Sequence, residues 1–283
     1  MAVKWSQKKE LEGISFSYED FKETIDGGQS FSWYADGKSA YVGIFAKNIA
    51  RLSLSGDKLF YQEPSAYKNK ELERNLLNYL DAQSDYAKIR QDLYALKDST
   101  LSSQLDKRPN LRILRQPINE CIMGFICSSS KRIIQIKQCV NLLRQKFGIE
   151  LLEGFYSLDS FDKIAKASLD DLLECKLGFR AKYLKNTAQK IIADGFDTQE
   201  LLTMSYVEAK AYLCSLSGIG EKVADCILLF SANKTNAFPV DTWIIKSMKN
   251  LYNIEKPSDI RAYAKDNFGD YAGYAQQILF ANV

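Results

Sequence analysis

Near Pro64 the spacing of apolar residues changes once, from alternation to a helical stripe, and such a chain must build a sheet first and a helical body after it. Before that point residues 30–62 read as an antiparallel meander: Ser30-Phe31-Ser32-Trp33-Tyr34, an Asp36-Gly37 turn, Ala40-Tyr41-Val42-Gly43-Ile44-Phe45, Ala50-Arg51-Leu52-Ser53-Leu54, a Ser55-Gly56-Asp57 turn and Lys58-Leu59-Phe60-Tyr61. After it Leu72, Leu76, Leu77 and Leu80 share one stripe, and a polar stretch at residues 99–109 is expected to link two units. Helices are expected at residues 118–127, 133–147 (ending at Gly148), 169–173 and 181–193, and at several places beyond. The expected class is α+β, with an antiparallel sheet domain over residues 1–110 and a mainly helical region over 111–283. No repeat or low-complexity tract interrupts either part.

With 283 residues, 46% of them apolar, the chain can bury a sizeable core. It contains no histidine, which removes Ser-His-Asp and Cys-His activation, imidazole acid-base chemistry and His-ligated zinc together. Six cysteines lie scattered without CxxC pairs, as expected of core residues in a reducing compartment. No apolar run approaches the ~20 residues of a membrane helix, and the start Met1-Ala2-Val3-Lys4-Trp5 lacks the apolar core of a signal peptide. The net charge of +3 does not by itself indicate a nucleic-acid partner, because a phosphate footprint is a local patch.

Ser205-Tyr206-Val207-Glu208 has the form of a capping box, so a helix should begin there. It should stop at Leu216-Ser217-Gly218-Ile219-Gly220-Glu221-Lys222-Val223-Ala224 and be followed at once by a second helix, placing a helix-hairpin-helix within residues 205–230. Gly218 and Gly220 would let backbone N–H groups approach a phosphate, and the second helix adds the positive end of its dipole. From this segment alone, a tight turn between two core helices remains equally open. Nineteen residues after Lys222 comes Asp241, within Phe238-Pro239-Val240-Asp241-Thr242-Trp243 and placed as N-cap ahead of Ile244, Ile245, Met248 and Leu251.

In the hairpin, its lysine and the following Pro-Val-Asp, the chain resembles the helix-hairpin-helix DNA glycosylases. Within them it resembles the bacterial-type 8-oxoguanine glycosylase/lyases. Four further segments carry that resemblance: Gly28-Gln29-Ser30-Phe31-Ser32-Trp33, Leu114-Arg115-Gln116-Pro117 with Phe125-Ile126-Cys127-Ser128-Ser129, Leu177-Gly178-Phe179-Arg180-Ala181, and residues 271–280. Only Cys226 follows the hairpin, so the four-cysteine iron–sulfur loop of endonuclease III relatives has no counterpart. No cofactor and no zinc are expected. The backbone carbonyls of Cys214, Leu216 and Ile219 match family positions that hold a cation between hairpin and phosphate.

The resemblance implies base excision from duplex DNA. Lys222 is the implied amine nucleophile and Schiff-base former, and Asp241 the stabiliser of the cationic sugar. An amine attacks only when neutral, which for a lysine requires desolvation or nearby positive charge. The base would be extruded into a pocket. There the Gly28 carbonyl would accept from N7–H of 8-oxoguanine, Gln276 would bind the Watson-Crick edge, Phe280 would stack, and Cys226 would form a dipole with Lys222 against the other face. Read without the family, these are a Gly27-Gly28 turn, a surface amide, a core aromatic and a core cysteine.

Ser130 stands where the family has a gap-filling asparagine, Gln135 where it has one of two cytosine-reading arginines, and Phe179 where it has a wedging tyrosine; Arg180 keeps the second arginine. Phe179 can still wedge, whereas Gln135 cannot make a bidentate donor contact, so weaker preference for cytosine is expected. Trp243 stands where animal relatives have histidine, facing either DNA or the core. The expected partner is duplex DNA containing 8-oxoguanine, engaged by a monomer in a bacterial cytoplasm at the nucleoid, with no membrane contact. The competing readings are a same-fold glycosylase for other damaged bases and a non-catalytic damage-binding protein.

Overall fold

The structure, a computed structural model, describes residues 3–282. The chain begins with strand β1 (Lys9–Ser15) and helix α1 (Tyr18–Asp26), followed by β2 (Trp33–Ala35), β3 (Ala40–Phe45), β4 (Asn48–Ser55) and β5 (Lys58–Gln62). These five strands form one antiparallel sheet in the order β1-β5-β4-β3-β2. The expected meander is its central part. At its start the structure differs from expectation: residues 30–32 bend instead of pairing, and β1 and α1 precede the meander. Gly56 at φ +63 makes the β4–β5 turn foreseen at residues 55–57, a conformation costly for a side chain.

Leu11, Phe16, Phe21, Ile25, Trp33, Leu52 and Leu59 pack a small core between the sheet, α1 and α2 (Leu72–Tyr79). The Trp33 indole lies flat enough on Gly43 that a Cβ there would collide with its ring, and its Nε1 donates to Tyr79 Oη at 3.1 Å. Then come α3 (Tyr86–Ala95) and α4 (Ser99–Lys107). The stretch at residues 99–109 is therefore a helix and not a linker. Asp98 caps it by accepting from Leu101 N at 2.9 Å, and Leu101 and Leu105, four apart, bury completely.

The remaining helices are α5 (Ile118–Ile126), α6 (Ile133–Phe147), α7 (Asp162–Lys166), α8 (Leu169–Glu174), α9 (Arg180–Ala193), α10 (Tyr206–Cys214), α11 (Glu221–Ser231), α12 (Thr242–Tyr252), α13 (Pro257–Phe268) and α14 (Ala272–Phe280). A short hairpin of β6 (Ile149–Leu152) and β7 (Phe155–Ser157), not expected from the sequence, interrupts them after α6. The larger core takes Ile89, Leu93, Leu101 and Leu105 from before residue 110 together with α5, α6, α9, α11 and α14, so the packing runs across the boundary expected there. Five of the six cysteines are buried; Cys214 is exposed. No helix among the described residues is long and apolar enough to cross a membrane.

A buried ion pair ties the sheet to the helical body. Arg144 of α6, 2% exposed, donates to Glu120 Oε2 of α5 at 2.7 Å and to Ser32 Oγ at 2.9 Å, while Glu120 Oε1 accepts from Ala46 N at 2.6 Å. Burial raises the Glu120 carboxyl and the Arg144 guanidinium opposes that rise. Replacing one partner strands the other charge in the core. Arg144→Ala should lower unfolding free energy by about 3–5 kcal/mol in urea titrations, and the double variant Arg144→Met/Glu120→Leu should recover much of that loss.

Candidate active site

One cavity gathers side chains from five separate parts of the chain: Gly27, Gly28 and Gln29 after α1, Phe125 of α5, Lys222, Cys226 and Phe230 of α11, Pro239 and Asp241 before α12, and Gln276, Gln277 and Phe280 of α14. All six residues expected at the reacting centre and base pocket, namely Gly28, Lys222, Cys226, Asp241, Gln276 and Phe280, line it together.

Helical spacing explains two of the walls. Lys222, Cys226 and Phe230 are successive four-residue steps on α11, and Gln276 and Phe280 are one such step on α14, so each helix turns a single stripe to the cavity. Gly273 lets α14 approach closely, since a Cβ there would strike Leu229 of α11, and its N–H donates to Thr235 O at 2.7 Å. Gln276 is 3% exposed, not a surface amide; its Nε2 donates to Pro239 O at 3.2 Å and its Oε1 accepts from Gln277 Nε2 at 2.7 Å.

The Gly28 wall is fixed by amides. Gln29 Nε2 donates to Arg112 O at 2.8 Å, Gln29 Oε1 accepts from Leu114 N at 2.9 Å, and Gln29 O accepts from Gln116 Nε2 at 2.6 Å. Gln116 N in turn donates to Phe230 O at 2.8 Å, so the loop of the sheet domain is joined to the end of α11. Gly28 sits at φ +109, a conformation that side chains disfavour.

Asp241 caps α12 as expected, accepting from Ile244 N at 2.8 Å through Oδ1, and the other oxygen takes no part in that cap. The Lys222 amine lies 5.7 Å from the centre of the Phe125 ring. Burial pushes the Cys226 thiol up to about 11, against the lowering effect of Lys222 beside it. At neutral pH the sulfur keeps its proton, so the implied Lys222–Cys226 dipole involves a thiol in the free protein.

At the hairpin Leu216 and Ile219 are buried anchors, with Ile219 N donating to Leu216 O at 3.3 Å. Gly218 has φ +81, and a Cβ there would lie 2.7 Å from Tyr183. Gly220, the N-cap of α11, has φ −92 and open space where its Cβ would be, and no side chain caps the helix, so its first N–H groups have no side-chain acceptor. Cys214 ends α10, whose Tyr212 and Leu213 carbonyls accept from Ser215 N and Leu216 N, and Leu216 and Ile219 follow it in the hairpin.

Of the other residues expected to face DNA, Ser130 (φ +52), Gln135, Phe179 (59% exposed) and Trp243 (53% exposed) lie on the surface. That placement removes the core alternative for Trp243, over whose ring Lys246 Nζ sits at 5.5 Å. Gln135 Oε1 accepts from Arg132 N at 3.0 Å and so helps to cap α6. Arg180 turns inward, donating to Leu177 O at 3.1 Å and to Ser129 O.

The family model for the 8-oxoguanine DNA glycosylase N-terminal domain matches residues 14–122, and that for HhH-GPD superfamily base excision DNA repair proteins matches residues 123–268. The chain belongs to the 8-oxoguanine DNA glycosylase family. The glycosylase is 31% identical over 276 residues to the N-glycosylase/DNA lyase OGG1 of Arabidopsis thaliana, covering 91% of this chain and 75% of that protein. It superimposes with a TM-score of 0.85 and 32% identity on the 8-oxoguanine glycosylase/lyase of Clostridium acetobutylicum in complex with duplex DNA holding cytosine opposite 8-oxoguanine, covering 98% and 97% of the two chains. The apo form of that enzyme matches at 0.88 and 31%, covering 100% and 99%. A 3-methyladenine DNA glycosylase of Archaeoglobus fulgidus, at 0.73 and 21%, covers 97% of each chain and shares the fold.

Sequence reasoning missed Phe125, Phe230, Pro239 and Gln277 of this glycosylase's cavity. Phe230 was findable, because it continues the Lys222–Cys226 stripe by four more residues; Pro239 and Gln277 act through the amide of Gln276, which no spacing reveals. The two hairpin glycines separate by experiment. Gly218→Ala should destabilise the fold by about 1–3 kcal/mol, since it meets both a left-handed φ and Tyr183. Gly220→Ala should cost about 1 kcal/mol or less yet weaken duplex binding, read by fluorescence anisotropy beside a melting curve.

Proposed function

We propose that the chain excises 8-oxoguanine from duplex DNA and then cleaves the strand at the abasic site, with Lys222 as nucleophile. The observation that carries this reading is that Lys222 and Asp241 share one cavity with Gly28, Gln276 and Phe280. The Lys222 amine attacks C1' of the extruded nucleotide, the base leaves with the glycosidic electron pair, and loss of the ring oxygen bond gives a Schiff base. Abstraction of a C2' proton then expels the 3' phosphate by β-elimination. Asp241 stabilises the positive charge that grows on the sugar as the base departs.

The Gly28 carbonyl accepts from N7–H, a proton that guanine lacks, so a guanine in the same pose sets two acceptors against each other. Gln276 addresses the Watson-Crick edge from an amide already oriented by Pro239 and Gln277, and Phe280 supplies an apolar face. The open face at Gly220 and the uncapped start of α11 suit a phosphate, and carbonyls of Cys214, Leu216 and Ile219 could seat a cation beside it. Phe179 fills the gap left in the stack, and Ser130 stands at the family's gap-filling position. The partner is lesion-bearing duplex DNA, bound by one copy of the chain.

Borohydride trapping on a duplex with a single 8-oxoguanine tests the nucleophile. A covalent adduct should form with the wild type and be absent with Lys222→Gln; base release without any adduct would instead make Lys222 a phosphate ligand. Asp241→Asn keeps a good helix cap, so its effect isolates the charge, and single-turnover excision should fall by about 10²-fold or more with little change in melting temperature.

Opposite the lesion, Gln135 is occupied in capping α6 and Arg180 in holding Leu177 and Ser129, so neither of these two positions offers a free arginine fork to cytosine. Excision rates should therefore differ by less than about 10-fold among the four opposite bases, and Gln135→Arg should widen that spread.

A further inference from the structure

The two walls that would read the lesion, Gly28 and the Gln276–Phe280 face, come from opposite ends of the chain, and one arginine outside the cavity touches the supports of both. Arg108 follows α4 immediately. Its guanidinium donates to the carbonyl of Ala281, the residue after Phe280, and its Nε donates to Asn282 Oδ1 at 3.2 Å. Asn282 in turn donates to Gln104 O at 3.1 Å and Ile278 O at 2.9 Å, binding the end of α14 to α4. The positive guanidinium also stands at the negative end of α14's dipole.

On its other side the same guanidinium lies 3.8 Å from Asp20 Oδ1 of α1. Asp20 is fully buried and that oxygen has no hydrogen-bond partner, while Oδ2 accepts from Asn110 N at 2.8 Å. One turn further along α1, Glu23 feels the same charge, which opposes the rise that burial imposes on its carboxyl. Glu23 leads directly into the pocket loop, since its carbonyl accepts from Gly27 N at 2.9 Å and its carboxyl packs where a Gly27 Cβ would be.

We infer that Arg108 is a positioning residue for lesion recognition, fixing the separation between the Gly28 loop and the Gln276–Phe280 face of α14 by holding α1 and the end of α14 at once. It touches neither Lys222 nor Asp241 through any of these contacts. Its loss should therefore weaken reading of the base while leaving strand cleavage at a base-free site intact. This rests on the excision and lyase reading given above.

The test compares two substrates with each variant: a duplex with 8-oxoguanine, and the same duplex carrying a preformed abasic site, which needs Lys222 but no base pocket. For Arg108→Met, single-turnover excision of 8-oxoguanine should fall by about 10- to 100-fold while cleavage at the abasic site stays within about 2-fold of wild type. Asn282→Ala removes one of the arginine's two contacts to the end of α14, together with the bonds to Gln104 O and Ile278 O, without stranding Asp20, and should show the same split at smaller amplitude, about 3- to 10-fold. Equal losses on both substrates, in both variants, would make Arg108 a general stability residue and overturn the inference; so would unchanged excision. A wild type inactive on both substrates would refute the excision and lyase reading itself, a result distinct from either outcome for the variants.

Discussion

A set of buried amide contacts sets the relation between the two cores, and the cavity depends on it. Gln29 spends its side chain on Arg112 O and Leu114 N, and its carbonyl on Gln116, whose own N–H reaches Phe230 O. Both glutamines are nearly inaccessible, at 2% and 8%, so every group they leave unpaired would remain a desolvated dipole. That penalty is what gives the contact its directional force. Apolar packing alone would hold a sheet against helices at many angles, whereas four hydrogen bonds with fixed partners admit one. Gly28, one residue before Gln29, is thereby set opposite the Lys222 face of α11.

The other walls are rigid for different reasons. The α11 and α14 helices meet at Gly273, close enough that only a glycine fits, and the Gln276 amide is held from both ends. A second polar knot lies behind them: Asp81, at φ +52, accepts from Ser84, Tyr86 and Arg115 at 2.9 to 3.1 Å, and Arg115 reaches Leu229 O at 3.3 Å. A recognition site built on two helices and one pinned loop needs little rearrangement to receive a flat ligand, which limits the entropy lost on binding.

How much of this could be read beforehand depends on what each feature leaves in the sequence. The sheet, α6 and the hairpin helices were legible because each repeats a period or carries a cap: residues 133–147 end at Gly148, and Ser205 accepts from Glu208 N as its spacing foretold. The 99–107 helix was not, because Ser99, Ser102 and Ser103 disguise a stripe of only Leu101 and Leu105, and the packing of that stripe against distant helices decides it. Six residues of the cavity, among them Lys222, Asp241 and Gln276, were found through family motifs, and their convergence was not visible in any one segment. Contacts such as Arg108 with Ala281 or Gln116 with Phe230 span more than a hundred positions and leave no local trace.

A chain without histidine must furnish its cavity with other polar side chains, and here these are Lys222, Asp241, Cys226 and the amides of Gln29, Gln276 and Gln277. Asp241 gives one oxygen to the α12 cap, which fixes its carboxyl group in place at the start of that helix. Its second oxygen is then held in position without a further side-chain partner being needed. Cys226 goes the other way: burial keeps its sulfur protonated, so it adds polarizable surface next to Lys222 without a competing anion. Asp241 is the carboxylate among the residues that line the cavity, and it shares that lining with Lys222. The cap also narrows what can stand at Asp241, since only a short side chain with an acceptor oxygen reaches Ile244 N from that position.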